Sequence, residues 1–222
     1  MKKQEAKELI MKTLSEKATT KQQVYDNILT TFKTLKKVIK YMVSNYNKNL
    51  KHKDRRITLE YKDRGMFETE LRVAGDLLVF DMHTNIFDFD HSHFIWKSSY
   101  VQDDPLRSYC GIINIYNFLA DSFKYNRMED MGYLIARIFV NKENHYFVEG
   151  KRQMGVLYNQ FDQDVIDKQA LREIIESCIL YSLHFDLLVP PYNEVKFVTV
   201  EMMKKQFNKS KTKTGKRLGF QF

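Results

Sequence analysis

Between residues 57 and 101 apolar and polar positions alternate one by one, and turn residues cut the alternation into segments. Ile57, Leu59 and Tyr61 alternate with polar neighbours. Beyond Asp63-Arg64-Gly65, the positions Phe67, Thr69, Leu71 and Val73 alternate with charges. Beyond Ala74-Gly75-Asp76, Leu78, Phe80 and Met82 share one face. His83-Thr84-Asn85 marks a reversal, Phe87 and Phe89 alternate with Asp88 and Asp90, and Phe94, Ile95 and Trp96 bring the chain back. A period of two broken by Gly and Asn turns is the mark of strands with one buried face. This stretch is therefore expected to form an antiparallel meander.

The first fifty residues follow a helical period instead. Residues 2–17 place Ala6, Leu9, Ile10 and Leu14 on one side of a short amphipathic helix. Thr20 followed by Gln23 fits a helix N-cap with its reciprocal partner. The helix it would open runs to about Asn49, with Tyr25, Ile28, Phe32, Leu35, Ile39, Met42 and Tyr46 at alternating steps of three and four. That spacing predicts a helix-to-helix seam, either within the chain or between two copies in a homodimer through residues 25–46. Lys33, Lys36, Lys37 and Lys40 fall away from the seam.

Residues 51–56 read as a polar linker. Asp103-Asp104-Pro105 predicts a helix start, because Asp104 can accept first-turn amides and Pro105 lacks a donor that position does not use. Tyr109, Ile112, Ile113, Tyr116, Leu119, Ala120 and Phe123 then follow at helical spacing, so a buried helix is expected, broken by residues 126–132. Residues 133–150 read as a hairpin turning at 141–144. A further strand is expected at 154–158. Asp164 or Asp167 opens a helix with Leu171, Ile174, Ile175, Cys178, Ile179 and Ser182 on one face, ending before Pro190-Pro191, and residues 195–202 form a last strand. The class is α+β: an antiparallel meander of about six to eight strands, covered on one face by the Pro105 and Asp167 helices, with an N-terminal helical pair. The organisation expected is a helical segment 1–50, a core domain 51–203 and a basic tail 204–222 that lacks fixed structure until a partner orders it.

Charge changes this picture through its placement. The chain of 222 residues carries a formal charge of +8. Residues 33–56 hold nine Lys or Arg against Asp54 alone. Residues 204–222 hold Lys204, Lys205, Lys209, Lys211, Lys213, Lys216 and Arg217 with no acid, which leaves 57–203 at about −9. An acidic body with two basic arms points to an anionic partner, RNA or a nucleoprotein, or to arms lying on the body's own carboxylates. The phosphate contacts would come from Lys33, Lys36, Lys37, Lys40 and the tail cations. No apolar run approaches the ~20 residues of a membrane span. The N-terminus lacks the apolar stretch of a secretory signal, and two cysteines, both placed in helices, are too few for a disulfide framework. A cytoplasmic setting with no membrane partner is expected.

Candidate chemistry is sparse. His83, Asp88, Asp90, His91 and His93 are the residue types that ligate zinc, manganese or iron. On a strand Asp88 and Asp90 share a side, so with His83 across the reversal they would form a hydrolytic metal site. An amphipathic strand with a solvated acidic face has the same pattern. Cys110, near a helix start, would be activated there, although its neighbours Tyr109, Ile112 and Ile113 favour a packed thiol. Glu129, Asp130, Glu143, Glu149 and Glu173 serve as acid–base groups only if the fold assembles them. Strand aromatics Tyr61, Phe67, Tyr133, Phe139, Tyr146 and Phe147 would offer a stacking surface for bases if exposed. No phosphate loop or nucleophile elbow occurs, and no catalytic residue or cofactor is assigned. The expectation is a non-enzymatic binding protein. The alternatives are a zinc- or manganese-dependent hydrolase at residues 83–93 and a dimeric interaction module.

Overall fold

Six antiparallel strands lie side by side in chain order in the computed structural model, which describes residues 3–50, 54, 57–151, 160–186 and 188–209. They are β1 (Leu59–Asp63), β2 (Glu68–Val73), β3 (Asp76–Met82), β4 (Gly111–Leu119), β5 (Tyr133–Val140) and β6 (Tyr146–Gly150). The helices are α1 (Lys3–Thr13), α2 (Thr19–Asn49), α3 (Ser99–Asp103), α4 (Ala120–Lys124), α5 (Lys168–Leu183), α6 (Tyr192–Val195) and α7 (Val200–Lys209). The fold is α+β with an antiparallel meander, as the alternating pattern requires.

One face of the sheet is closed by α2 and α5. Ile28, Phe32, Leu35, Ile39 and Met42 of α2 and Leu171, Ile174, Ile175 and Cys178 of α5 share one buried cluster with Leu78, Phe80, Ile113 and Ile138. The stripe of α2, read either as packing within the chain or as a homodimer seam through residues 25–46, is thus occupied within the chain. Helix and sheet approach closely at Gly111, where an added Cβ would lie 2.6 Å from the Ile28 Cβ. Polar ties fix α2 lengthwise. Asn27 donates to the carbonyls of Asn141 (3.1 Å) and Lys142 (2.8 Å), and Asn47 exchanges two bonds with the Leu59 backbone at 2.8 and 3.0 Å. The opposite face carries a smaller cluster of Ile112, Phe139 and Phe147, covered by Ile95, Val101 and Phe161.

Several expectations are corrected. The Pro105 helix is a single 3-10 turn, Pro105–Ser108, although Asp104 does cap it by accepting from the Leu106 amide at 3.0 Å. The chain then becomes β4, a central strand. In an almost wholly apolar run both periods fit, and β-branched Ile112, Ile113 and Ile115, buried on both faces, prefer the strand. The lid expected at Pro105 is supplied by α2. Residues 87–96 form no strand: Phe87 makes an isolated bridge to Cys110, and Phe94–Lys97 is a 3-10 turn. Here Asp88 and Asp90 bind the nearby amides of Phe89 (2.9 Å) and Ser92 (2.8 Å), a local alternative to a ladder.

Thr20 caps nothing. α1 continues into α2 through a π-helical turn at Leu14–Ala18, where the Ser15 and Thr19 hydroxyls bond back to carbonyls of the preceding turn. Cys110 precedes β4 rather than lying in a helix, and residues 195–202 contain helical turns instead of a strand. The tail begins as helix, since α7 extends to Lys209. The strand expected at 154–158 lies outside the described residues.

Candidate nucleic-acid interface

The 31-residue helix α2 buries one stripe and presents the opposite one. At 100° per residue, Lys33, Lys37, Lys40, Tyr41, Ser44 and Lys48 fall within an arc of roughly 100° centred opposite the buried stripe, and Lys33 to Lys48 spans about 22 Å of axis. All six are exposed, Tyr41 by 61%. No carboxylate-bearing residue occurs between Asp26 and Asp54. Among the described residues Lys33, Lys37, Lys40 and Lys48 enter no ion pair; the Lys40 ammonium lies 5.1 Å from the Tyr61 ring centre.

Lys36 is different. It reaches sideways to the Asp63 carboxylate at 2.7 Å and to the Gly65 carbonyl, at the β1–β2 turn. The Lys36 ammonium and the Gly65 amide hold the Asp63 carboxyl down at about 2. Of the sequence-identified lysines on α2, three therefore face solvent and one staples the helix to the sheet. In the tail, Lys204 is exposed on α7 and Lys205 and Lys209 lie on the same helix, whereas Lys211, Lys213, Lys216 and Arg217 lie outside the described residues.

The carboxylates of the body are met chiefly by its own arginines. Arg64 binds Glu70 (2.7 Å), Arg107 binds Glu143 (2.9 Å), Arg172 binds Glu176 (2.8 Å), and Arg72, Arg127 and Arg137 meet Glu60, Asp130 and Glu149. Among the described residues the basic arms contribute one such contact, Lys36 to Asp63. The potential acid–base group Glu143 is held by Arg107 and Tyr100, Glu149 by Arg137 and His93, Asp130 by Ser122 and Arg127, and Glu173 by Gln169. They are separate pairs and assemble no shared site.

The five candidate metal ligands are likewise dispersed. His83 accepts from the Asn85 amide through Nδ1, at 3.0 Å, and packs edge-on to Phe87. Asp88 accepts from the Ser108 hydroxyl at 2.6 Å, and Asp90 caps its own turn. His91 packs on Trp96, while His93 stacks on Phe89 with ring centres 4.5 Å apart. Among the described residues no three His, Cys, Asp or Glu side chains are grouped to hold a metal ion. Burial pushes both thiols up, Cys178 to about 12, so neither is an activated nucleophile. Of the strand aromatics, Tyr146, Phe139 and Phe147 are buried, and Tyr61 and Phe67 pack against the main cluster.

Sequence reasoning passed over two features. One is Tyr41, whose place amid the lysines the helical wheel does contain. The other is a groove of about 650 Å³ between the ends of α2 and α5 and the start of β1, whose walls include Leu50, Ile57, Leu59, Ile179, Leu180 and Leu183. Beside it Tyr46 donates to Glu176, which also accepts from Arg172; these bonds hold the Glu176 carboxyl below its ordinary range although burial opposes them. The groove joins segments more than a hundred residues apart, so no local pattern announces it. No protein-family model, curated protein or solved structure matches the chain.

Proposed function

We propose that the protein is a non-enzymatic, cytoplasmic binding protein for an anionic macromolecule, RNA or a nucleoprotein, held through the outer face of α2 and the lysine-rich tail. The observation that carries this reading is the acid-free row of Lys33, Lys37, Lys40 and Lys48, exposed on a helix fastened to a sheet. Its ammonium groups stay in water, where phosphates can exchange with their counterions. Tyr41 in the same row adds an apolar ring against which a base can stack. Neighbouring carboxylates do not quench the row, because the body's arginines take most of the ion pairs. Two buried thiols, and no described helix long and apolar enough to cross a membrane, are compatible with the cytoplasm.

The test is salt-dependent binding of a mixed-sequence single-stranded RNA. The native chain should bind with an affinity that falls steeply between low and physiological salt. Reversing Lys33, Lys37 and Lys40 together to Glu should weaken binding at least tenfold and flatten the logarithmic salt slope by about 2, at roughly 0.7 per phosphate contact. Lys36→Ala should do much less, since that ammonium already serves Asp63. Salt-insensitive binding, or none to RNA or DNA, removes the proposal.

A further inference from the structure

The cation row on α2 has a break in it, and an aromatic ring stands in the break. Lys33, Lys37 and Lys40 follow one another at steps of four and three, and the next cation along the helix is Lys48. At 1.5 Å per residue the interval from Lys40 to Lys48 covers about 12 Å of axis. The positions of the row inside it are Tyr41 and Ser44, both exposed. Tyr41 differs from the exposed aromatic residues around the sheet. Phe87 packs on His83, Phe94 on His93 and Phe147, Phe123 on Phe118, and Tyr125 lies under Lys124 and Arg127. Among the described residues no ring and no cation lies against Tyr41. Its hydroxyl accepts from the Asn45 amide at 3.4 Å, and Asn45 accepts from Asn49 at 2.9 Å. The ring is thus tethered at its hydroxyl end, with its faces uncovered and set before any ligand arrives.

The surface around the row has room for one phosphate backbone. Helix α5 lies beside α2 on the same face of the sheet, and packed helix axes stand about 8–10 Å apart. Its exposed Glu173 meets Gln169 and no described cation. A duplex presents two phosphate rows across a groove, about 12 Å wide for the major groove of B-DNA. With one row on the α2 lysines, the second falls over α5 and Glu173 or over the β1–β2 turn. At that turn Lys36 and Arg64 are already held by Asp63 and Glu70, and Lys62 stands opposite Glu70 in the ladder. Neither flank supplies a second row of available cations.

We infer that the α2 face takes an unpaired nucleic-acid strand and discriminates against a duplex, with Tyr41 as the residue that selects. This rests on the reading of α2 as a phosphate-binding face. Phosphates lie on Lys33, Lys37 and Lys40. In the break one base turns inward and lies flat on the Tyr41 ring, the Ser44 hydroxyl donates to the sugar–phosphate beside it, and Lys48 takes up the backbone again. A base in a single strand has a face free for this contact, whereas in a duplex both faces are covered by stacked neighbours. Extruding a paired base forfeits stacking and pairing that a single strand does not have to lose. Charge alone works the other way, because the phosphates of a duplex are the denser array. A preference for the strand therefore reports the ring and not the lysines.

The test sets a short mixed-sequence RNA strand against the blunt duplex of the same sequence, each titrated with the full chain at the same salt. The strand should bind at least about fivefold more tightly, the effect of one base stack. Tyr41→Ala should weaken strand binding by about fivefold or more. It should leave duplex binding, the logarithmic salt slope and the thermal unfolding transition unchanged, since the side chain is exposed and carries no charge. Tyr41→Phe keeps the ring and should keep the preference for the strand. A duplex bound as tightly as the strand, strand binding that Tyr41→Ala leaves intact, or a loss in Tyr41→Phe as deep as in Tyr41→Ala would each overturn the selection while salt-dependent binding by the lysine row stands. If neither nucleic acid binds in a salt-sensitive way, the phosphate-binding reading itself fails and the selection goes with it.

Discussion

The arginines of the sheet body and the lysines of α2 carry the same charge and behave in opposite ways. All six arginines with described side chains, Arg64, Arg72, Arg107, Arg127, Arg137 and Arg172, sit on a carboxylate. Among the described lysines only Lys36 and Lys142 do. A guanidinium presents a planar fork that matches a carboxylate and is weakly hydrated, so it settles into fixed pairs; an ammonium is a compact, strongly hydrated point charge that remains in solvent. The difference teaches that net charge is a poor guide to an available surface. The cations that structure the body are already engaged, and those of α2, Lys36 apart, are not.

The contrast depends first on α2 being seated. Phe32→Ala should cost about 3–5 kcal/mol in urea unfolding, because Phe32 is fully buried at the centre of the inner stripe. Loss of the lysine row's function in that variant would then follow from loss of its platform. Next, the arginine pairs should differ among themselves by burial. Glu70 is 6% exposed, so Arg64→Ala leaves a desolvated carboxylate and should cost about 1.5–3 kcal/mol. Arg72→Ala, at an exposed pair with Glu60, should cost less than about 1 kcal/mol. Equal losses at the two sites would mean that burial does not set the value of these pairs. Smaller still, Lys33→Met with Lys37→Met should leave stability within about 0.5 kcal/mol, since neither ammonium has a partner to lose.

The last prediction concerns Lys36, the lysine that behaves like the arginines. The folded-state carboxyl of Asp63 titrates at about 2, below its unfolded value. A depressed acid pKa contributes stability that is fully present above the unfolded value near 3.9 and is lost as pH falls toward 2. Asp63→Asn should therefore be less stable than the native chain at neutral pH, with the gap closing between about pH 4 and pH 2. A gap independent of pH would show that the Lys36–Asp63 contact acts through packing rather than charge.

Legibility followed periodicity where one face was buried and the other wet. Helix α2 ends at Asn49, where its pattern ends, and the 133–150 hairpin and the Asp167-capped helix stand where they were read. The pattern failed at 111–119, where residues on both sides are buried and the period carries no information. It failed again at 87–96, where two aspartates satisfy their own backbone. Residues 83–93 hold metal-ligating types, but ligation needs convergence in space, and these side chains go to separate partners, Asp88 to Ser108 and His93 to Glu149 among them.

The amino-acid order alone determined the α+β class, the antiparallel meander, the long amphipathic helix and the separation of lysine from carboxylate along the chain, because all of these arise from nearest-neighbour periodicity and composition. Tertiary structure decided which helices close the sheet, which cations are spent in ion pairs and where a groove opens between α2 and α5. Those outcomes depend on contacts between residues far apart in the chain. Distance in space, which sets both desolvation and Coulomb energy, is not written in any local pattern.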